Sequence, residues 1–180
     1  MLNPMQAPEY SYIRRECPAV QIPDGTPSRL SIGTRVRITQ ALGGSFTVAT
    51  ERGYLFRIDS QNADALGKTP GEIFAEPAEG SLEDRIWARL RTCYDPEIPI
   101  NIVDLGLIYN CEVLEEGRRV DIKMTLTAPG CGMGPILAKE VKERIENLPE
   151  VERADVEVVF DPQWDQNMMS EAARLELGLF

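Results

Sequence analysis

At 180 residues the chain has the length of one domain, or of one domain with a smaller partner, and can bury a core of its own. A hydrophobic share of 43% and a charged share of 27% fit an ordered, water-soluble protein rather than a disordered or membrane-spanning one. The net charge of −10 disfavours a nucleic-acid ligand, and the lack of histidine rules out histidine-based hydrolases, mixed Cys/His zinc sites and imidazole shuttles within this chain.

Residues 1–30 scatter Pro4, Pro8, Pro18, Pro23 and Pro27 among polar neighbours, which predicts a loosely structured, extended lead-in. Met1–Tyr10 shows no basic start followed by an apolar run, and no stretch reaches the ~20 apolar residues of a bilayer span. The expectation is a cytoplasmic protein with reduced thiols, away from membranes. Over residues 31–67 short alternating runs (Val36 and Ile38; Phe46 and Val48; Tyr54, Phe56 and Ile58) are punctuated by Gly43-Gly44 and Arg52-Gly53, predicting a small β-rich module. Residues 68–80, with Pro70, Gly71, Pro77 and Gly80, read as a linker.

The second unit, 81–180, opens with Ser81 and Asp84 spaced as a capping box, followed by Leu82, Ile86 and Leu90 at helical spacing. Asp95-Pro96-Glu97-Ile98-Pro99 forbids helix and predicts a stiff loop. Leu107, Tyr109, Cys111 and Val113, then Val120, Ile122, Met124 and Leu126 beyond the Glu116-Gly117 turn, alternate as a β-hairpin with one buried face. Pro135 starts an amphipathic helix carrying Leu137, Val141, Ile145 and Leu148; Ala154 to Phe160 gives a further strand, and Ser170 to Leu177 a last helix closed by Gly178. The order helix-strand-strand-helix-strand-helix predicts an α+β fold, a small mixed sheet with helices.

The four cysteines, Cys17, Cys93, Cys111 and Cys131, form no Cys-x-x-Cys pair, so no self-contained metal cage is visible. Cys131 stands out: Gly130 and Gly132 flank it and a helix follows, which favours an ionised thiol that a metal, a sulfide or a partner backbone can approach. The same pattern also fits a plain strand-to-helix turn with a small buried cysteine. Asp95 and Glu97 either bind a cation or take backbone hydrogen bonds in a turn. Thr125 and Thr127 lie opposite in phase to the buried face and are expected to point away from the core beside the Cys131 loop. Cys111 falls in register with the core, Cys93 ends a helix near Asp95 where it can assist Cys131, and Cys17 has nothing to recommend it. Trp164 either seals the core or presents an aromatic contact surface, and Met168-Met169 reads as core packing.

Three separated motifs, Asp95-Pro96-Glu97-Ile98-Pro99 through Tyr109, Met124-Thr125-Leu126-Thr127-Ala128-Pro129-Gly130-Cys131-Gly132-Met133-Gly134, and Asp161-Pro162-Gln163-Trp164 with Met169-Ser170-Glu171-Ala172-Ala173, closely resemble the SufT and PaaD-like family over residues 81–180. The first part, with Leu42-Gly43-Gly44-Ser45-Phe46-Thr47-Val48, looks like the extension of the long bacterial SufT form. The resemblance implies a domain similar to the iron–sulfur cluster assembly fold that includes the NifU C-terminal domain, and a role in maturing iron–sulfur proteins. It further implies Asp95, Glu97, Thr125, Thr127 and Cys131 as the functional cluster, with Cys131 the essential thiol. Gln163 departs from a second proline common in relatives, and the Cys-x-x-Cys of NifU-type domains is missing. One thiolate cannot supply a cluster's usual four ligands, so ligation is expected to be transient or shared, with a homodimer one way of sharing it. The leading expectation is a non-enzymatic carrier serving assembly proteins and client apoproteins; the alternative is an adaptor that recruits clients without ligating a cluster. A thiol-dependent enzyme ranks last, since no histidine base and no phosphate- or dinucleotide-binding motif is present.

Overall fold

The computed structural model describes residues 9–69 and 79–179, and the chain divides into two compact units, Met1–Ile73 and Phe74–Phe180. Most of the expected linker, residues 70–78, lies outside the described residues.

The first unit is a six-stranded antiparallel sheet. Its strands are β1 (Glu9–Tyr12), β2 (Cys17–Ile22), β3 (Pro27–Leu30), β4 (Arg35–Leu42), β5 (Ser45–Thr50) and β6 (Leu55–Ile58), in the order β1-β4-β5-β6-β2-β3. The Gly43-Gly44 turn joins β4 to β5 with φ of 62° and 80°, the pair of left-handed residues that a tight hairpin requires. Val36, Val48, Phe56 and Ile58 bury one face against Ile13, Cys17 and the 3-10 helix Ser60–Leu66, which inserts Ala63, Ala65 and Leu66.

Residues 9–30 are therefore not a loose lead-in: they supply three strands, and Cys17 is fully buried. The prolines are tolerated because of where they fall. Pro27 opens the edge strand β3, and Pro18 lies in the part of β2 that pairs with β3 but not with β6, so no ladder bond on the β6 side is lost.

The second unit holds α1 (Leu82–Leu90), β7 (Ile108–Leu114), β8 (Arg119–Met124), α2 (Gly134–Glu146), β9 (Arg153–Val158) and α3 (Glu171–Glu176). The sheet order is β7-β8-β9; β7 and β8 form an antiparallel hairpin, whereas β8 and β9 are parallel and are joined through α2. The Ser81 capping box is present: Ser81 Oγ accepts from the Asp84 amide at 3.2 Å, and the Asp84 carboxylate accepts from the Ser81 amide at 3.0 Å. Val120, Ile122 and Met124 face a core built with Ile86, Leu90, Leu137, Val141 and Ile145. The other face is charged, with Arg119 bound to Asp121 at 2.8 Å and to Asp155 at 3.3 Å.

Arg144 of α2 is nearly buried. It donates to the Thr92 carbonyl at 2.6 Å and pairs with Glu140 at 2.5 Å, so one guanidinium caps the exit of α1 and ties it to α2. A register shift between Ile108 and Asn110 leaves Tyr109 without a partner in β8. Cys111 faces the core side opposite Ile122, as the alternation predicts, but on an edge strand it is only half-buried, and Val113 is 37% exposed. Among the described residues no helix is long and apolar enough to cross a membrane.

Candidate functional site

The loop from Cys93 to Leu107 folds on itself. The Ile102 amide donates to the Cys93 carbonyl at 2.9 Å, and Tyr94 bridges to Asn101. Asp95 Oδ1 accepts from the amides of Glu97 and Ile98, both at 2.9 Å. The Asp95 side chain is thus committed to the turn that its proline neighbours create, and burial raises its pKa above the ordinary carboxylate value despite the two amide donors. Glu97 is exposed. Asn101 Oδ1 repeats the device on the amides of Val103 and Asp104, while Ile100, Ile102, Leu105 and Leu107 bury their side chains.

A strap, residues 162–170, lies along this loop. Trp164 Nε1 donates to the Leu105 carbonyl at 2.7 Å, the Tyr109 hydroxyl donates to the Pro162 carbonyl at 2.7 Å, and the Ser170 amide donates to the Asp104 carbonyl at 2.8 Å. Gly106, at φ 76°, lets the Met168 carbonyl approach: a Cβ on residue 106 would stand 2.2 Å from that oxygen. Trp164 packs half-buried against the core and its one donor is in use, so it seals more than it displays. Sequence reasoning placed Tyr109 in a simple alternation and missed this clamp. The available signals were Gly106 between two buried leucines and an indole that needs an acceptor.

The clamped loop leads to the cysteine segment, because the Leu107 carbonyl accepts from the Thr125 amide at 2.8 Å. Thr125 does not point away from the core as expected. β8 ends at Met124, the alternation ends with it, and Thr125 is fully buried with an Oγ1 that finds no hydrogen-bond partner among the described residues. Such an orphaned hydroxyl costs about 1–3 kcal/mol. Thr127 is half-buried.

Gly130 takes φ 75° with open space where a Cβ would be, and the Cys131 amide turns back to Ala128 at 3.4 Å. The chain then enters α2, with Met133 at its N-cap and Pro135 in its first turn. Gly134 is held against Leu126, whose Cδ1 would be 2.7 Å from a Cβ there. Cys131 packs against the edge of the core and remains partly exposed, as does Gly132. The site therefore sits where β8 gives way to the crossover helix, at the carboxyl end of a strand that has a parallel neighbour.

The other thiols differ. Cys17 and Cys93 are sealed at 0% exposure, and the Cys93 sulfur faces the Arg89 carbonyl at 3.9 Å. Burial pushes Cys111 up to about 11, so it is protonated at neutral pH. Among the described residues no three Cys, Asp or Glu side chains are arranged to hold a metal ion. Cys131, Asp95 and Glu97 are presented as separate groups rather than as a preformed cage.

A family model described as iron–sulfur cluster assembly protein matches residues 83–158, a span containing both the Asp95 loop and Cys131. The chain is 46% identical over 96 residues to the Fe-S protein maturation auxiliary factor of Porphyromonas gingivalis, covering 53% of this chain and 90% of that one. It is 40% identical over 101 residues to the Fe-S protein maturation auxiliary factor YitW of Bacillus subtilis, covering 56% and 98%, and 42% identical over 85 residues to SufT of Staphylococcus aureus, covering 47% and 96%. A crystal structure of a DUF59 domain of unknown function from Bacillus anthracis superposes with a TM-score of 0.51 at 36% identity, over 55% of this chain and 93% of that one. The chain belongs to the SufT-like family of Fe-S protein maturation auxiliary factors.

Proposed function

We propose that this protein is a maturation factor that carries, or helps transfer, an iron–sulfur cluster to client apoproteins through the sulfur of Cys131. The observation that carries the reading is the contrast among four thiols: Cys131 alone combines partial exposure with a glycine-flanked loop at a helix entrance, inside the span matched by the assembly family. One sulfur without a cage fits a cargo held briefly. The remaining ligands would come from a donor protein, a client or a second copy, and incomplete coordination favours release. Glu97, exposed beside the Asp95 turn, is the carboxylate free to assist, while Asp95 shapes the loop and the buried Thr125 hydroxyl offers a polar group at its foot. No acid–base pair is required, in line with a non-enzymatic role in the cytoplasm among assembly proteins and their clients.

Anaerobic reconstitution with iron and sulfide, read by visible absorption and followed by transfer to an apoprotein, tests the proposal. Cys131→Ala is expected to lose both the absorption and the transfer. Cluster binding that survives the substitution unchanged removes Cys131 as a ligand, and client maturation that survives it defeats the carrier. Failure of the parent protein itself to bind any cluster, together with client capture by Cys131→Ala, establishes the adaptor instead.

A further inference from the structure

The first unit carries a surface that the proposed cluster chemistry does not use. On the face of β1 and β4 turned away from the core, Tyr10 stands opposite Arg37 and Tyr12 opposite Arg35. Both tyrosines are open, at 54% and 59% exposure, and the Arg35 guanidinium lies over the Tyr10 ring at 4.5 Å from its centroid. Arg35 reaches only a long contact, 3.5 Å, with the exposed Glu51, and Arg37 is exposed with no anionic partner among the described residues. Across the sheet from Arg37 comes the buried Ala49 and then Leu55, 36% exposed, which is the apolar side chain open on this side.

We infer that this Tyr10–Tyr12–Arg35–Arg37 face docks an extended acidic segment of a partner protein whose carboxylates recur at every second residue. The repeat is the argument. Arg35 and Arg37 are two residues apart on one strand face, roughly 7 Å, which is the spacing at which an extended peptide presents alternate side chains. Each guanidinium offers a planar fork to a carboxylate, and the tyrosines supply hydroxyl donors and flat walls at low entropic cost. Charge disfavours such a partner less on the first unit than on the second: residues 1–73 hold 8 basic against 7 acidic side chains, residues 74–180 hold 11 against 22. A long polyanion such as nucleic acid would meet the repulsion of the whole molecule, whereas a short acidic strand meets mainly the local arginines.

Fluorescence anisotropy with a labelled peptide alternating Glu and Thr tests the inference on the full-length protein. Binding is expected to weaken with salt, to fall roughly tenfold in Arg37→Ala, and to be unchanged in Cys131→Ala, which separates it from the cluster reading. Arg37→Glu is expected to lose the Glu peptide and gain a peptide alternating Lys and Thr. The inference is overturned if no binding is seen, if Arg37→Ala binds as well as the parent, if oligothymidylate binds as tightly as the peptide, or if Arg37→Ala abolishes a concentration-dependent dimer, which would put a second copy on the face.

Discussion

The two units solve the problem of exposing chemistry in opposite ways. The first is all antiparallel sheet, nearly neutral in charge, and what it displays are side chains projecting from regular strands: Tyr10, Tyr12, Arg35 and Arg37. The second is strongly acidic, and what it displays is a loop, Gly130 to Gly134, where a parallel strand pair is joined by a helix. A face built on strands suits recognition, because its spacing is fixed by the ladder. A loop at a strand end suits a transferable cargo, because backbone and sulfur are both approachable there. Among the described residues each unit has a buried core cluster of its own beneath the face it displays.

The sharpest way to break this division is Gly106→Ala. A side chain there collides with the Met168 carbonyl in a left-handed backbone, and the expected loss is about 3 kcal/mol or more, read as lower amide protection in the three-stranded sheet with the six-stranded sheet unchanged. Equal loss in both sheets would refute separate support. Trp164→Phe keeps a ring but removes the donor to Leu105, and about 1–2 kcal/mol should go, with faster exchange in the 101–109 loop. Thr125→Val replaces an unpartnered buried hydroxyl by a methyl and should raise stability by up to about 1 kcal/mol in chemical denaturation. A fall in client maturation at that raised stability would show that the hydroxyl serves the cargo.

The smallest effect concerns Cys111. Its thiol, held up to about 11 by burial, keeps its proton in the native state above the pH at which the unfolded chain, with a thiol near 9.0, has lost it. Native protein then binds more protons, so this contribution is intact below about pH 9 and declines as pH rises toward 11. Cys111→Ala is expected to make the stability profile shallower across that window and to leave it unaltered near neutrality.

Much of the second unit was legible because its signals are local. Ser81 with Asp84, Pro135 before Leu137, and Gly178 after Leu177 each announce a helix end through a bond or a dihedral that involves near neighbours. The buried phase of β8 followed from period-two alternation. What escaped depended on distant partners. Thr125 was assigned outward because the alternation was extended past Met124, where a carbonyl from Leu107 takes over. The clamp of Tyr109 and Trp164 joins residues more than fifty positions apart. In the first unit, prolines outweighed the weak alternation of Cys17, Ala19 and Gln21, since a proline's cost depends on which strand edge it meets. Cys131 stands out in the sequence by its flanking glycines and the helix that follows, whereas the arrangement of carboxylates is a three-dimensional matter: among the described residues no three Cys, Asp or Glu side chains are placed to hold a metal ion.

The position of Trp164 has an optical consequence. The chain contains two tryptophans, Trp87 on α1 and Trp164 in the strap, and both belong to the second unit. Intrinsic emission excited selectively at the indole band therefore reports on that unit alone, and Trp87→Phe leaves one lamp whose nitrogen is bonded to the clamped loop. A red shift on adding a client would signal that the strap has lifted, with no label attached anywhere on the molecule.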